Sequence, residues 1–294
     1  MSPVVFYSAA VLGAMGFALG LLLAIFGRVF AVSIDPRVEG VASALACLNC
    51  GVCGYPGCRA LAEAIVAGKA KAEQCAPGGD EAVRKVAELL GQQAVFAEPS
   101  VAVVRCRGGK SVAKDRAVYR GVRDCVSADL IGAGSKACEW GCLGMGSCAA
   151  ACPFGALRMN AEGLPEVNEE KCTACGICVG VCPRRIIALI PRRQMVYLGC
   201  VSRDRGKNVK EVCAVGCTAC GLCASPKVTP SGSVIIRENL PEFPPGWEDF
   251  KAAAEKCPSR CFVIRRPLPS GRSPGADAAA PGGTIPGDRH AHDS

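Results

Sequence analysis

The chain has 294 residues, half of them hydrophobic but only 5% aromatic, with 35 glycines, 20 prolines and 22 cysteines. Cores with so few aromatics are small, so bound groups must supply part of the stability. The cysteines recur as C-x2-C-x2-C, a pattern of reduced thiols on metal that excludes a secreted disulfide framework. The formal charge of +8 invites an acidic partner, yet each oxidised iron–sulfur cubane on four thiolates carries about two negative charges, and four of them bring the total to roughly zero. With no basic groove interleaved with aromatics, nucleic acid is excluded as a partner.

Residues 4–26, VVFYSAAVLGAMGFALGLLLAIF, contain no charge and are long enough to cross a bilayer as one helix. A signal peptide would carry a basic n-region and a shorter apolar run, so the stretch reads as an uncleaved anchor at residues 1–30. Arg28 and Arg37 follow it and no Lys or Arg precedes it, which places the bulk of the chain in the cytoplasm. A stripe of Gly16, Gly20 and Ala24 offers close packing to another membrane helix.

A four-cysteine domain is expected over residues 31–95. Cys50-x2-Cys53-x4-Cys58 leads into a helix from Arg59 to about Lys71, which returns the chain so that Cys75 closes a fourth corner. Cys47 makes a second C-x2-C with Cys50, so spacing alone does not fix which of the close cysteines bind. A further amphipathic helix runs from Asp80, as N-cap, to about Leu90.

Residues 96–137 read as a strand-and-loop insert with the apolar run Val101–Val104, then Cys106 and Cys125. Over 138–190 follows a bacterial-type double ferredoxin module. Its second half, Cys172-x2-Cys175-x2-Cys178-x3-Cys182-Pro183, has the spacing that holds a [4Fe-4S] cubane and exports its fourth cysteine to a second cluster. Cys138-x3-Cys142-x5-Cys148-x3-Cys152-Pro153 is a looser version of the same half. The crossed rule assigns one cluster to Cys138, Cys142, Cys148 and Cys182, and another to Cys152, Cys172, Cys175 and Cys178. Closed zinc sites usually pair two C-x2-C knuckles, whereas here three thiols share one loop.

In residues 191–266 a degenerate second module keeps Cys217, Cys220, Cys223 and Cys257 but has Lys227 where the fourth cysteine of the run belongs, and its other trio is replaced by LPEFPPGWEDFKAAAEK. The crossed rule leaves one cluster there, with Cys261 over. The intervals Cys125–Cys138–Cys142 and Cys200–Cys213–Cys217 are identical, an internal repeat that points to an additional cluster on Cys106, Cys125, Cys200 and Cys213, or to buried free thiols of a duplicated scaffold. Residues 267–294 read as a disordered tail in which His290 and His292 are idle. The fold class is thus α+β, with small domains stabilised by iron–sulfur clusters behind one transmembrane helix.

With CGVCGYPGC, the remote Cys75, CEWGCLGMGSCAAACPFGAL and CTACGICVGVCP in one chain, residues 1–265 resemble the B subunits of Rnf complexes in their longer form. The resemblance assigns the first cluster to Cys50, Cys53, Cys58 and Cys75 and leaves Cys47 out. It implies an inner-membrane complex that couples electron flow between ferredoxin and NAD to sodium or proton translocation, with ferredoxin docking on this chain and flavins and the ion path on others. A sibling complex that keeps a redox-sensing transcription factor reduced resembles it closely, and a zinc-stapled membrane scaffold is the non-redox alternative. No nucleotide motif is present, since GAGSK at residues 132–136 lacks the spacing of a phosphate loop.

Overall fold

The computed structural model describes residues 3–29, 35–96 and 98–265; the expected tail at 267–294 lies outside them. Helix α1, Pro3–Val29, is 27 residues long, about 40 Å at 1.5 Å per residue. Its leucines and Phe17 face outward rather than into a core. It is long and apolar enough to cross a membrane, alone in this among the described residues.

Three helices make the first cysteine-rich body: α2 (Pro36–Ala44), α3 (Cys58–Val66) and α4 (Gly79–Leu90). Asp35 caps α2 by accepting from Arg37 N–H. Val41, Leu61, Ala62 and Val86 close the core between them. Helix α3 stops short of the expected Lys71 because Gly68 takes φ +72°, and the amides of Gly68 and Lys69 turn back to the carbonyls of Ile65 and Ala64. Asp80 proves not to be the N-cap of α4; it lies in the first turn with Glu81, where its charge suits the helix dipole.

The rest is a tandem of two like units. In the first, β1 (Ser100–Val104) pairs antiparallel with β4 (Ile187–Pro191), Val101 opposite Ile190, and β2 (Leu157–Met159) pairs with β3 (Pro165–Val167). Short helices α5 (Cys125–Leu130), α6 (Ser147–Ala150) and α7 (Ile177–Gly180) lie between the strands. The strand of the expected insert therefore forms one sheet with the end of the ferredoxin module. The second unit repeats the plan: β5 (Val196–Leu198) pairs with β8 (Phe262–Ile264) and β6 (Ile235–Arg237) with β7 (Leu240–Glu242), with α8 (Gly206–Val212) and α9 (Phe250–Lys256) between.

Four of the twelve buried core residues of the first unit are cysteines, so its interior is assembled around sulfur. In the second unit, the segment that replaces a cysteine trio brings Phe243 and Trp247 against Phe262, with ring centroids 4.7–5.9 Å apart. Aromatic packing thus stands in where thiols were lost. Arg265, buried at the end of β8, ties the units together through Glu169 and the carbonyl of Gln194.

Candidate metal centres

Three loops share one backbone path. After Cys172, Ala174 and Gly176 take φ of +56° and +81°; after Cys217, Ala219 and Gly221 take +55° and +73°; after Cys142, Gly144 and Gly146 take +74° and +82°. Left-handed residues at alternate positions aim successive N–H groups into the loop, a ready cradle for an anion. This match sets the register: Cys142 is equivalent to Cys172 and Cys217, and Met145 stands where Cys175 and Cys220 supply the second thiol.

The thiols gather in five groups. At site 1, Cys50 and Cys58 lie near buried Cys75, and Cys53 packs with Cys58 on the helical core. Cys47 instead turns its thiol back on α2, 3.3 Å from the Ala42 carbonyl. At site 3, Cys152 joins Cys172, Cys175 and Cys178. Site 4 is a cavity lined by Cys217, Cys220, Cys223 and Cys257, and by Cys261 as a fifth thiol, whose Sγ is 3.4 Å from that of Cys257.

The two remaining expected groups exchange one member. The cavity lined by Cys142, Cys148 and Cys182 (site 2) is completed by Cys125, not by Cys138. Cys138 lines a separate cavity with Cys106, Cys200 and Cys213 (site 5). The reason is Met145: its trio lacks a middle thiol, and the start of α5 delivers one from afar. Asp124 caps α5 through Ser127 N–H (2.8 Å) and accepts from Ser147 Oγ (2.8 Å), which in turn accepts from Cys125 N–H (2.8 Å), next to Cys148. Aligning the run backward from Cys152-Pro153 in steps of four, three and three residues reaches Met145 and Cys142, and that signal leaves Cys138 surplus. The equal intervals that paired Cys125 with Cys200 do not give the structural register, which pairs Cys106 with Cys200.

Burial pushes the Cys142 and Cys178 thiols up to about 12 and those of Cys148, Cys200 and Cys223 up to about 11. Thiols so placed ionise for a cation rather than for water. Backbone donors are already aimed at sulfur: Ala102 N–H at Cys172 (3.5 Å), Ala156 N–H at Cys152 (3.4 Å) and Cys142 N–H at Cys106 (3.4 Å). In site 4, Cys217 and Cys257 are lowered instead, to about 7 and about 6, because Cys261 donates to both.

Arg184 Nη1, on the wall of site 2, is buried without a partner among the described residues, as is Trp247 Nε1 in the aromatic cluster of the second unit, while the Thr173 hydroxyl is directed at the Cys175 thiol. An anionic sulfide in site 2 would satisfy Arg184. Among the described residues no three His, Cys, Asp or Glu side chains are close enough to share one metal ion. Thiols on a single zinc stand about 3.8 Å apart, given a Zn–S bond of about 2.3 Å. Those of sites 2 and 5 instead line the walls of open-mouthed cavities, whereas in site 4 the Cys257 and Cys261 sulfurs stand 3.4 Å apart. The donor set and its spacing fit a polynuclear iron–sulfur group.

Fold and sites together define an iron–sulfur protein built from ferredoxin-like units behind an apolar helix. A family model described as "Putative Fe-S cluster" matches residues 45–77, and one described as "4Fe-4S dicluster domain" matches residues 137–186. The chain is 41% identical over 243 residues to the B subunit of the ion-translocating oxidoreductase complex of Methanosarcina acetivorans, covering 83% of this chain and 91% of that one. It is also 46% identical over 203 residues to the B subunit of the Na(+)-translocating ferredoxin:NAD(+) oxidoreductase complex of Acetobacterium woodii, covering 69% of this chain and 61% of that longer one. A proton-translocating counterpart from Clostridium ljungdahlii is 40% identical over 203 residues, 69% of this chain and 72% of its own. The chain belongs to the family of B subunits of ion-translocating oxidoreductase complexes, as the resemblance implied. It carries iron–sulfur clusters, works in electron transport and associates with membranes alongside other subunits.

Proposed function

We propose that this chain is the electron-entry subunit of an Rnf-type complex, held to the inner membrane by α1 as a single span, with its cysteine-rich bodies on the cytoplasmic side. The reading places [4Fe-4S] clusters on Cys50, Cys53, Cys58 and Cys75; on Cys125, Cys142, Cys148 and Cys182; on Cys152, Cys172, Cys175 and Cys178; and on Cys217, Cys220, Cys223 and Cys257. When bound, such clusters supply one-electron transfer at low potential. The chain's own residues fix the thiols, aim N–H donors at sulfur and keep water from the walls, which is how a protein tunes a cluster. Ferredoxin is the partner in solution. NAD chemistry and sodium or proton translocation belong to other subunits, because one anchor helix forms no ion path.

The observation that carries this reading is the exchange of Cys152 and Cys182 between two trios, which sets two four-thiol sites side by side. The test is ferredoxin-dependent NAD reduction by membrane vesicles containing the whole complex. Cys178→Ala should abolish it while the subunits still co-purify. Unchanged NAD reduction with that variant would overturn the proposal.

A further inference from the structure

Three of the four thiols at site 5, Cys106, Cys200 and Cys213, lie outside both matched stretches. We propose that Cys106, Cys138, Cys200 and Cys213 hold a fifth [4Fe-4S] cluster, shared between the two ferredoxin-like units. This rests on the iron–sulfur reading of the other sites.

Each unit contributes the same pair of thiols. Cys106 follows β1 and Cys200 follows β5, each two residues past the strand's end. Cys138 and Cys213 each stand four residues before the first cysteine of their unit's own trio, Cys142 and Cys217. The hydrogen bonds repeat as well: Cys142 N–H donates to Cys106 Sγ at 3.4 Å, and Cys217 N–H donates to Cys200 Sγ. Site 5 is therefore a pseudo-twofold seam rather than a chance gathering of thiols.

The seam is held by backbone. Arg107 N–H donates to Gly199 O (3.1 Å), Lys114 N–H to Val212 O (2.9 Å) and Ala214 N–H to Val112 O (2.9 Å). Gly199 has no room for a side chain, since a Cβ there would come within 2.7 Å of Arg107. The remaining thiols are cradled in the manner of the other sites, Cys138 by the amides of Trp140 and Gly141 and Cys213 by those of Val215 and Gly216.

A second, independent sign of an anion is Lys136. It lines the cavity, is 7% exposed and forms no ion pair among the described residues; its ammonium donates only to the Gly108 carbonyl. A buried cation calls for a compensating negative group; the Glu162 carboxylate acts on Lys136 from outside the cavity wall, and a cubane with four thiolates provides about two charges from within it. The site's position follows from the two Cys–Cys contacts: it touches site 2 through Cys142 and site 4 through Cys217. Since Cys148 lies near Cys178, the four sites of the tandem run in the order 3, 2, 5, 4, with site 5 between the thiol sites of the two units among the described residues.

The test counts iron and acid-labile sulfide in the intact, anaerobically purified chain and in paired variants. The full chain should hold about twenty irons. Cys138→Ala and Cys213→Ala should each lose about four, and the double variant should also lose about four, because both thiols serve one site. Cys138→Ala with Cys142→Ala should lose about eight. About sixteen irons in the full chain, or a Cys138→Ala/Cys142→Ala pair that loses only about four, would overturn the fifth site and leave the proposed function standing. Absence of iron altogether would overturn both. Should the variants fail to fold, the count on the full chain decides alone.

Discussion

Exchange of ligands between neighbouring trios can be tested without a spectrum for each cluster. Cys182 follows Cys172, Cys175 and Cys178 in one run, yet its side chain lines the cavity of Cys125, Cys142 and Cys148. With twenty thiols in five groups, Cys182→Ala should remove about four irons of about twenty. A single variant cannot say which site was emptied, because either assignment loses one cluster. Pairs can, since changes at one shared site are not additive whereas changes at separate sites are. Cys142→Ala with Cys182→Ala should still lose about four irons, while Cys172→Ala with Cys182→Ala should lose about eight. The same holds for Cys125 in place of Cys142. Iron is measured by elemental analysis on anaerobically purified protein, with sulfide as an internal check. If the Cys172→Ala/Cys182→Ala pair loses only about four irons and the Cys142→Ala/Cys182→Ala pair about eight, the crossing is refuted.

Arg184→Met removes a buried positive charge from the wall of site 2. Iron content should hold while one midpoint potential falls by on the order of 60 mV, the one-electron equivalent of a tenfold change; a rise in potential in a redox titration would refute the role given to its Nη1. In the iron-free chain burial pushes the Cys142, Cys148 and Cys178 thiols up to about 11 to 12 from an ordinary 9.0, and burial raises more thiols than the two, Cys217 and Cys257, that Cys261 lowers. Above about pH 9 the unfolded chain therefore binds fewer protons than the folded one, and stability falls as pH rises. Urea midpoints should drop between about pH 8 and about pH 10, and a rise would contradict the burial argument. Removing residues 1–29 should move the chain from the membrane to the soluble fraction with its iron retained; retention on membranes stripped of partner subunits would show that α1 is not the anchor.

Some parts of the chain carry their own geometry in the sequence. The run Cys172–Cys182 states its loop and its exported ligand in one line, and the apolar run of α1 states its length. At site 1 the turn after Cys53 and helix α3 indicate that Cys75 returns to the close cysteines, but spacing left Cys47 in competition with them and only the resemblance set it aside; in the structure its thiol turns back on α2. Helix ends were less legible: Gly68 stops α3 early by a left-handed residue that periodicity does not register. The harder cases are ligands that arrive from far along the chain. Cys125 reaches site 2 through the Asp124–Ser147 hydrogen bonds, which no spacing rule encodes, although Met145 in the middle of its trio marks the place of a missing thiol. The pairing of β1 with β4 and β5 with β8 was hidden because each strand is separated from its partner by most of a unit. That pairing brings Cys106 and Cys200 to the same seam.

Whether these thiols hold iron and sulfide rather than isolated ions is decided by the ratio of acid-labile sulfide to iron in the full-length protein, purified without oxygen, together with its paramagnetic signal on reduction. Iron–sulfur clusters give a ratio of about one and a signal on reduction. Zinc bound in place of iron, with no labile sulfide and no signal on reduction, would contradict the iron–sulfur assignment.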